Sequence, residues 1–202
     1  MRLIAALAAA AAATASLAVL PADGASSHHR PGSRTLLVVG DSLTVGTRPY
    51  LHHWLGRWHI HTVASVSKQV TEGPRTLRSF GSRLPRVVFV NLGTNGDPRA
   101  VSLFRHEVRA TMHTAGPDRC VVWSTIVRPP VAGRSYAALN GVLAGEAAKR
   151  RNLMLFRWVR LAHRHPGWFG PDHVHVTAAA YNVRARAMAR TIRSCRKQTL
   201  ER

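Results

Sequence analysis

The sequence predicts an α/β fold: a five-stranded parallel sheet with helices on both faces. Three observations predict it. Five short runs rich in β-branched residues recur along the chain. Helix-length stretches fill the gaps between them, the alternation expected of βαβ units. Three of the five runs are nearly continuous in apolar residues, as strands buried on both faces must be. In such sheets the ligand crevice lies beyond the carboxyl ends of the strands, so functional residues should follow strands rather than precede them.

In chain order, the first feature lies ahead of the sheet. Arg2 precedes an apolar run at 3–20 made mostly of alanine, then Pro21 and the small residues Ala22, Gly24, Ala25 and Ser26. This pattern reads as a secretory signal peptide over 1–25; an uncleaved membrane anchor is the alternative. No cysteine lies near the run, which excludes a lipoprotein. Residues 26–34 are small, polar and rich in turn formers, and read as a flexible linker. The domain follows over 35–195, with a basic tail at 196–202.

The first strand, 35–39, is continuously apolar after Thr35 and leads into Gly40-Asp41-Ser42. A helix follows over 44–55. The second strand, 59–66, carries His59 and His61, and precedes a segment from Ser67 to Gly73 and a helix over 73–82. The third strand, 86–91, leads into Gly93-Thr94-Asn95 and a helix over 99–114. The fourth, 120–127, begins at Cys120 and is followed by Arg128-Pro129-Pro130 and a helix over 135–150. The fifth, 153–159, is followed by Trp168-Phe169 and then Asp172-His173-Val174-His175. Thr177 is placed to cap the last helix, 177–193.

Three polar clusters therefore meet at one sheet edge, although they are spread over more than 130 residues of sequence. Their chemistry is complementary. A serine hydroxyl is a weak nucleophile and needs an adjacent base. His175 can take the proton of Ser42, and Asp172 can orient the imidazole and stabilise its cation. Asp41 is the rival acid, but adjacency to Ser42 places it poorly, so it reads as structural. His173 rivals His175 only if the Asp-x-x-His spacing is set aside. Gly40 permits a tight strand-to-helix turn. The N-terminus of the first helix offers N–H groups to an oxyanion, and Asn95 can add a side-chain donor.

Val38-Val39-Gly40-Asp41-Ser42-Leu43, Asn91-Leu92-Gly93-Thr94-Asn95 and Asp172 through His175 together resemble the first, third and fifth sequence blocks of the SGNH, or GDSL-type, esterase and lipase family. The resemblance spans about residues 35–193. It implies a flavodoxin-like three-layer α/β/α fold, no metal or other cofactor, and ester hydrolysis through an acyl-enzyme on Ser42. It also implies an oxyanion hole from Ser42, Asn95 and a second-block residue. The family has glycine in that block. Ser67 stands at the position here, with Gly73 as the alternative alignment.

Composition bounds the partners. Lys plus Arg number 29 against 9 Asp plus Glu, a formal charge of +20. Such a surface attracts polyanions, and an exported protein would meet anionic cell-wall polymer; a dedicated nucleic-acid site is not expected. Carboxylate partners for the five close histidine pairs are scarce, and no H-E-x-x-H pattern occurs, so no metal site is expected. Arg128 and Trp168 are candidates for substrate contact, and the arginines of the last helix (184, 186, 190 and 193) read mostly as a solvated face. In the predicted topology Cys120 and Cys195 both lie at the edge opposite the site, where a disulfide can form.

The sequence therefore predicts a secreted or envelope-associated monomer without stable membrane insertion. Its substrate is a small-molecule or glycan ester, with a short acyl group preferred. Acyl transfer on the same scaffold and a non-catalytic polyanion-binding module are the alternatives.

Overall fold

The structure, a computed structural model, describes residues 34–200. The signal-peptide reading of 1–25 and nearly all of the linker lie outside the described residues. The elements run β1 (Thr35–Gly40), α1 (Ser42–Leu55), β2 (His59–Ala64), α2 (Glu72–Phe80), β3 (Val87–Asn91), α3 (Val101–Ala115), β4 (Cys120–Ser124), α4 (Ala137–Ala148), β5 (Leu153–Phe156), α5 (Trp158–Ala162) and α6 (Ala178–Leu200).

All five strands are parallel, in the order β2-β1-β3-β4-β5. The central strands bury both faces because both are apolar. Alternate residues of β1 serve opposite cores: Leu36 and Val38 pack with Phe89 and Val122 against α1 and α6, while Leu37 and Val39 pack with Val88, Val90 and Trp123 against α2, α3 and α4. The result is a three-layer α/β/α sandwich. Among the described residues, no helix is long and apolar enough to cross a membrane.

Three boundaries differ by three residues or more from those the sequence predicts, each for a local reason. β4 stops at Ser124 because Asn140 of α4 takes over the Ile126 backbone, accepting from its N–H at 2.8 Å and donating to its carbonyl at 2.9 Å. β5 stops at Phe156 because α5 starts at Trp158, where Thr125 Oγ1 accepts from the Val159 N–H at 3.0 Å. The last helix continues to Leu200, absorbing much of the predicted tail, since no glycine or proline interrupts it.

The chain moves from β1 to one neighbour, β2, and then returns to the other, β3. A crevice opens where the direction of winding reverses. Ser42 follows β1 and Asn95 follows β3, so topology alone sets them across that crevice.

Cys120 begins β4 and Cys195 lies on the last turns of α6, at the opposite edge; the two form the expected disulfide, with Cα atoms 5.7 Å apart. It spans 75 residues of sequence. Cross-linking a loop of that length stabilises by about 4 kcal/mol, mainly by restricting the unfolded chain. Urea denaturation with and without reductant should differ by that amount. A difference below about 1 kcal/mol would show that strain or residual structure cancels it.

Candidate active site

Asp41 caps α1: its side chain accepts from the Leu43 N–H at 3.0 Å, which leaves Ser42 at the first helical position. Gly40 is required just before it. A Cβ there would lie 1.9 Å from Thr44 Oγ1 and 2.6 Å from Thr44 Cβ, within the first turn of α1. Only glycine lets the strand turn this sharply into the helix.

His175 stands just ahead of α6, which packs along α1. Its Nε2 is 2.8 Å from Ser42 Oγ, and its Nδ1 is 2.5 Å from Asp172 Oδ2. Asp172 Oδ1 accepts from the N–H groups of Val174 and His175, both at 3.0 Å. The His175 contact first, and then the Val174 N–H, hold the Asp172 carboxyl down at about 2. An ionised carboxylate only accepts hydrogen bonds, so Nδ1 donates to it, and a neutral imidazole then presents Nε2 as acceptor for the Ser42 hydroxyl. Asp172 and His175 side chains are about half exposed, which leaves the group open to solvent. His173, left-handed at φ 54°, is exposed and does not join it.

Asn95 lies across the opening, with Nδ2 donating to Lys68 O at 3.3 Å. Its loop is pinned from several sides. Arg128 Nη1 donates to Thr94 O at 2.6 Å, the Tyr136 hydroxyl to Gly96 O at 2.8 Å, and Trp123 Nε1 to Leu92 O at 3.2 Å. Gly93, at φ 117°, could not carry a side chain: its Cβ would meet Phe104 at 2.6 Å and Ile126 at 2.8 Å. A donor held this firmly is suited to a charge that develops only in a transition state. If Asn95 serves an oxyanion, Asn95→Ala should lower kcat by about 10²–10³-fold with little change in KM. A tenfold rise in KM at constant kcat would assign it to ground-state binding instead.

The two second-block candidates differ in backbone geometry. Gly73 lies inside α2, its N–H bonded to Val70 O at 3.0 Å, and a Cβ would lie 3.0 Å from Thr111 of α3. It is a helix-packing glycine. Ser67 lies two residues beyond Ser65, whose N–H pairs with Gly40 O at 3.2 Å, at the crevice edge, and it adopts φ 61°. Serine thus holds the left-handed conformation that favours glycine. Lys68, almost buried and paired with Glu72 at 2.8 Å, braces the same loop. Ser67→Gly should be more stable than Ser67→Ala by about 1 kcal/mol. Equal melting temperatures would mean the loop relaxes.

A cavity of about 320 Å³ is lined by Ser42, Asn95, Arg128, Pro129, Pro130, Val131, Asp172, Val174 and His175. Arg128 therefore lies where the sequence suggests. Trp168 does not line this cavity: its ring stacks between those of His165 (centroids 4.0 Å apart) and Trp158 (6.3 Å), as part of the packing beneath α6. Its ring packs against the core, and this cavity does not include the Trp168 that the sequence offers for substrate contact.

The largest correction concerns Arg184, which sequence reading places on a solvated face. It has no exposed surface. Nη1 donates to Thr47 Oγ1 at 2.7 Å and Nη2 to Asn91 Oδ1 at 2.8 Å. Asn91 Nδ2 in turn donates to Asp41 Oδ1 at 2.7 Å. The guanidinium also lies 5.1 Å from the Trp158 ring centre and 5.5 Å from that of Phe156. Burial pulls Arg184 down to about 10, opposed by the Asp41 charge. Burial likewise raises the Asp41 carboxyl, opposed by the Leu43 N–H bond. One relay thus ties α6, which follows His175, to the turn that presents Ser42.

No protein-family model and no curated protein matches this sequence. Solved structures do. The catalytic domain of Streptococcus pneumoniae peptidoglycan O-acetyltransferase A superposes with a TM-score of 0.67 at 19% identity, over 84% of this chain and 96% of that one. A member of the lipolytic G-D-S-L family from Veillonella parvula gives 0.65 at 13%, over 79% and 98%. This chain has the SGNH-type fold. A family 3 carbohydrate esterase from Clostridium thermocellum gives 0.64 at 17%, over 83% and 99%. At these identities the likeness is one of fold, and the SGNH-type architecture explains why residues from both ends of the domain share one edge.

Proposed function

We propose that this chain is an exported serine esterase, sent out by residues 1–25, that cleaves short acyl esters on small molecules or envelope glycans. One observation carries the reading: the chain of contacts Asp172–His175–Ser42, at 2.5 and 2.8 Å, opening on a solvent-accessible cavity. His175 Nε2 takes the Ser42 proton as Oγ attacks the ester carbonyl carbon. The oxyanion is held by Asn95 Nδ2 and by the N–H groups of Ser42 and Ser67. His175 then returns the proton to the departing alkoxide, leaving an acyl-enzyme on Ser42. Water, deprotonated by the same nitrogen, releases the acid.

The cavity, at about 320 Å³, is at the lower end of small-molecule sites. That favours acetyl-sized groups over long acyl chains. Arg128 at its wall, with one nitrogen committed to Thr94, offers its remaining donors to an anionic substituent of the substrate.

Acyl transfer is the second reading. The half-exposed Asp172 and His175 leave room for a sugar hydroxyl in place of water, and one solved neighbour is a peptidoglycan O-acetyltransferase. The test is mass spectrometry after exposure to a fluorophosphonate, followed by turnover of p-nitrophenyl acetate with and without an oligosaccharide acceptor. A label on Ser42 with acetate released supports hydrolysis. Acetylated acceptor supports transfer. An unlabelled Ser42 and a rate equal to background would overturn both and leave a binding module.

A further inference from the structure

A second cavity, of about 440 Å³, lies along the outer strand β5, between it, α5 and the second half of α6. Arg157, Arg160 and Arg164 rise from the segment after β5, and Arg190 faces them from α6. Their side chains are exposed. None makes a hydrogen bond or ion pair with the described residues. The surroundings cannot neutralise them. Residues 147–200 hold twelve Lys and Arg and a single acid, Asp172, which serves His175. Thr191 and Ser194 add hydroxyl groups, and Leu155 and Leu161 supply part of an apolar floor. Four unpaired guanidinium groups lining one trough repel one another, so the arrangement is favourable mainly when an anion fills it.

We propose that this groove binds a linear polyol-phosphate polymer and thereby holds the enzyme on an anionic surface. Guanidinium forks match phosphate oxygens in pairs, and hydroxyl groups can complete the contact. The shape suits a chain rather than a single ion. Arg157 lies at the carboxyl end of β5, the edge that also carries Ser42, while Ser194 adjoins Cys195 at the other edge. From Ala187 to Ser194 the helix advances about 10 Å, enough for successive phosphates of an extended polymer. Nucleic acid fits less well, because single-strand sites supply aromatic faces for bases. Phe156, the one ring lining this groove, is buried.

The test uses the full chain and a fluorescent poly(glycerol phosphate). Replacing Arg157, Arg160, Arg164 and Arg190 together by Gln should weaken binding by about tenfold to a hundredfold. Hydrolysis of p-nitrophenyl acetate should be unchanged, since none of the four touches the Ser42 cavity. A charge-matched control replaces the exposed Arg75, Arg78, Arg83 and Arg86 on the other side of the sheet by Gln and should retain affinity. With the unaltered protein, the slope of log K against log salt should lie near about −2 to −3, corresponding to three or four phosphates. Equal losses in the two variants, or a slope shallower than about −1, would overturn the groove as a site. Tighter binding to oligothymidylate or polygalacturonate of equal charge would reassign it to nucleic acid or to a carboxylate polymer. Because the readout is binding, it is independent of whether Ser42 is catalytic.

Discussion

Ser42→Ala should remove nearly all ester hydrolysis, lowering kcat by about 10⁶-fold if the serine is the nucleophile. His175→Ala should cost a similar amount, and the double variant little more, because nucleophile and base act as one unit. The residual rate then comes from binding and the oxyanion donors alone. Stability should hardly change in Ser42→Ala. The hydroxyl is partly exposed, and its side-chain partner is the half-exposed His175. That separates lost chemistry from lost fold. Turnover of p-nitrophenyl acetate together with thermal melting gives both readings. An alanine variant within tenfold of the wild-type rate would remove Ser42 from the mechanism. Additive losses in the double variant would mean that His175 acts on something other than Ser42.

Much of this site is legible in the sequence because it is local. Asp172 and His175 lie three residues apart, and one turn carries the spacing into a hydrogen bond. Gly40-Asp41-Ser42 is a strand, turn and helix start in consecutive residues. Convergence of these pieces also follows from sequence, since β-branched runs alternating with helices force a parallel sheet, and a parallel sheet gathers its strand ends. The Cys120–Cys195 pairing follows from the same topology.

What the sequence hides depends on packing between distant elements. Trp168 looks like a pocket residue because it precedes Asp172, yet α6 and Trp158 claim its ring. Tyr136 gives no sign that its hydroxyl will reach Gly96, forty residues away. Ser67 looks like a departure from glycine but keeps the glycine-like backbone, because the loop is fixed at both sides by Ser65 and Lys68. Arg184 had a signal. It falls four residues after Ala180 and four before Met188, inside the helical stripe that Ile192 and Cys195 continue, and every one of these positions is buried. A single arginine on an otherwise apolar stripe invites the solvated reading, since buried charges are rare. Here Asn91, Thr47 and two aromatic rings make the exception possible.

Arg184→Met should be the most destabilising single change in the domain, by about 3–5 kcal/mol. Methionine fills most of the volume, so the loss is electrostatic rather than a cavity. Thr47 Oγ1 and Asn91 Oδ1 lose their donor, and Asp41, with no exposed surface, loses the cation coupled to it. The effect carries a pH signature. Burial already raises the Asp41 carboxyl above its ordinary value, and loss of the Arg184 charge raises it further. A carboxyl raised in the folded state favours folding below its unfolded value, and that contribution is lost as pH rises through the folded value. The gap between variant and wild type should therefore be smaller at pH 4 than at pH 8. Denaturation at both pH values checks this, and a constant gap would mean that Asp41 is neutral throughout. Adding Asp41→Asn to Arg184→Met should recover part of the loss, since asparagine caps a helix about as well as aspartate and leaves no buried charge. If the double variant is no more stable than Arg184→Met alone, the arginine acts through its bonds to Thr47 and Asn91. If it is more stable, the cation is retained on α6 chiefly to let an aspartate lie buried beside Ser42, and the two helices that present Ser42 and follow His175 are held in register by one long-range charge pair.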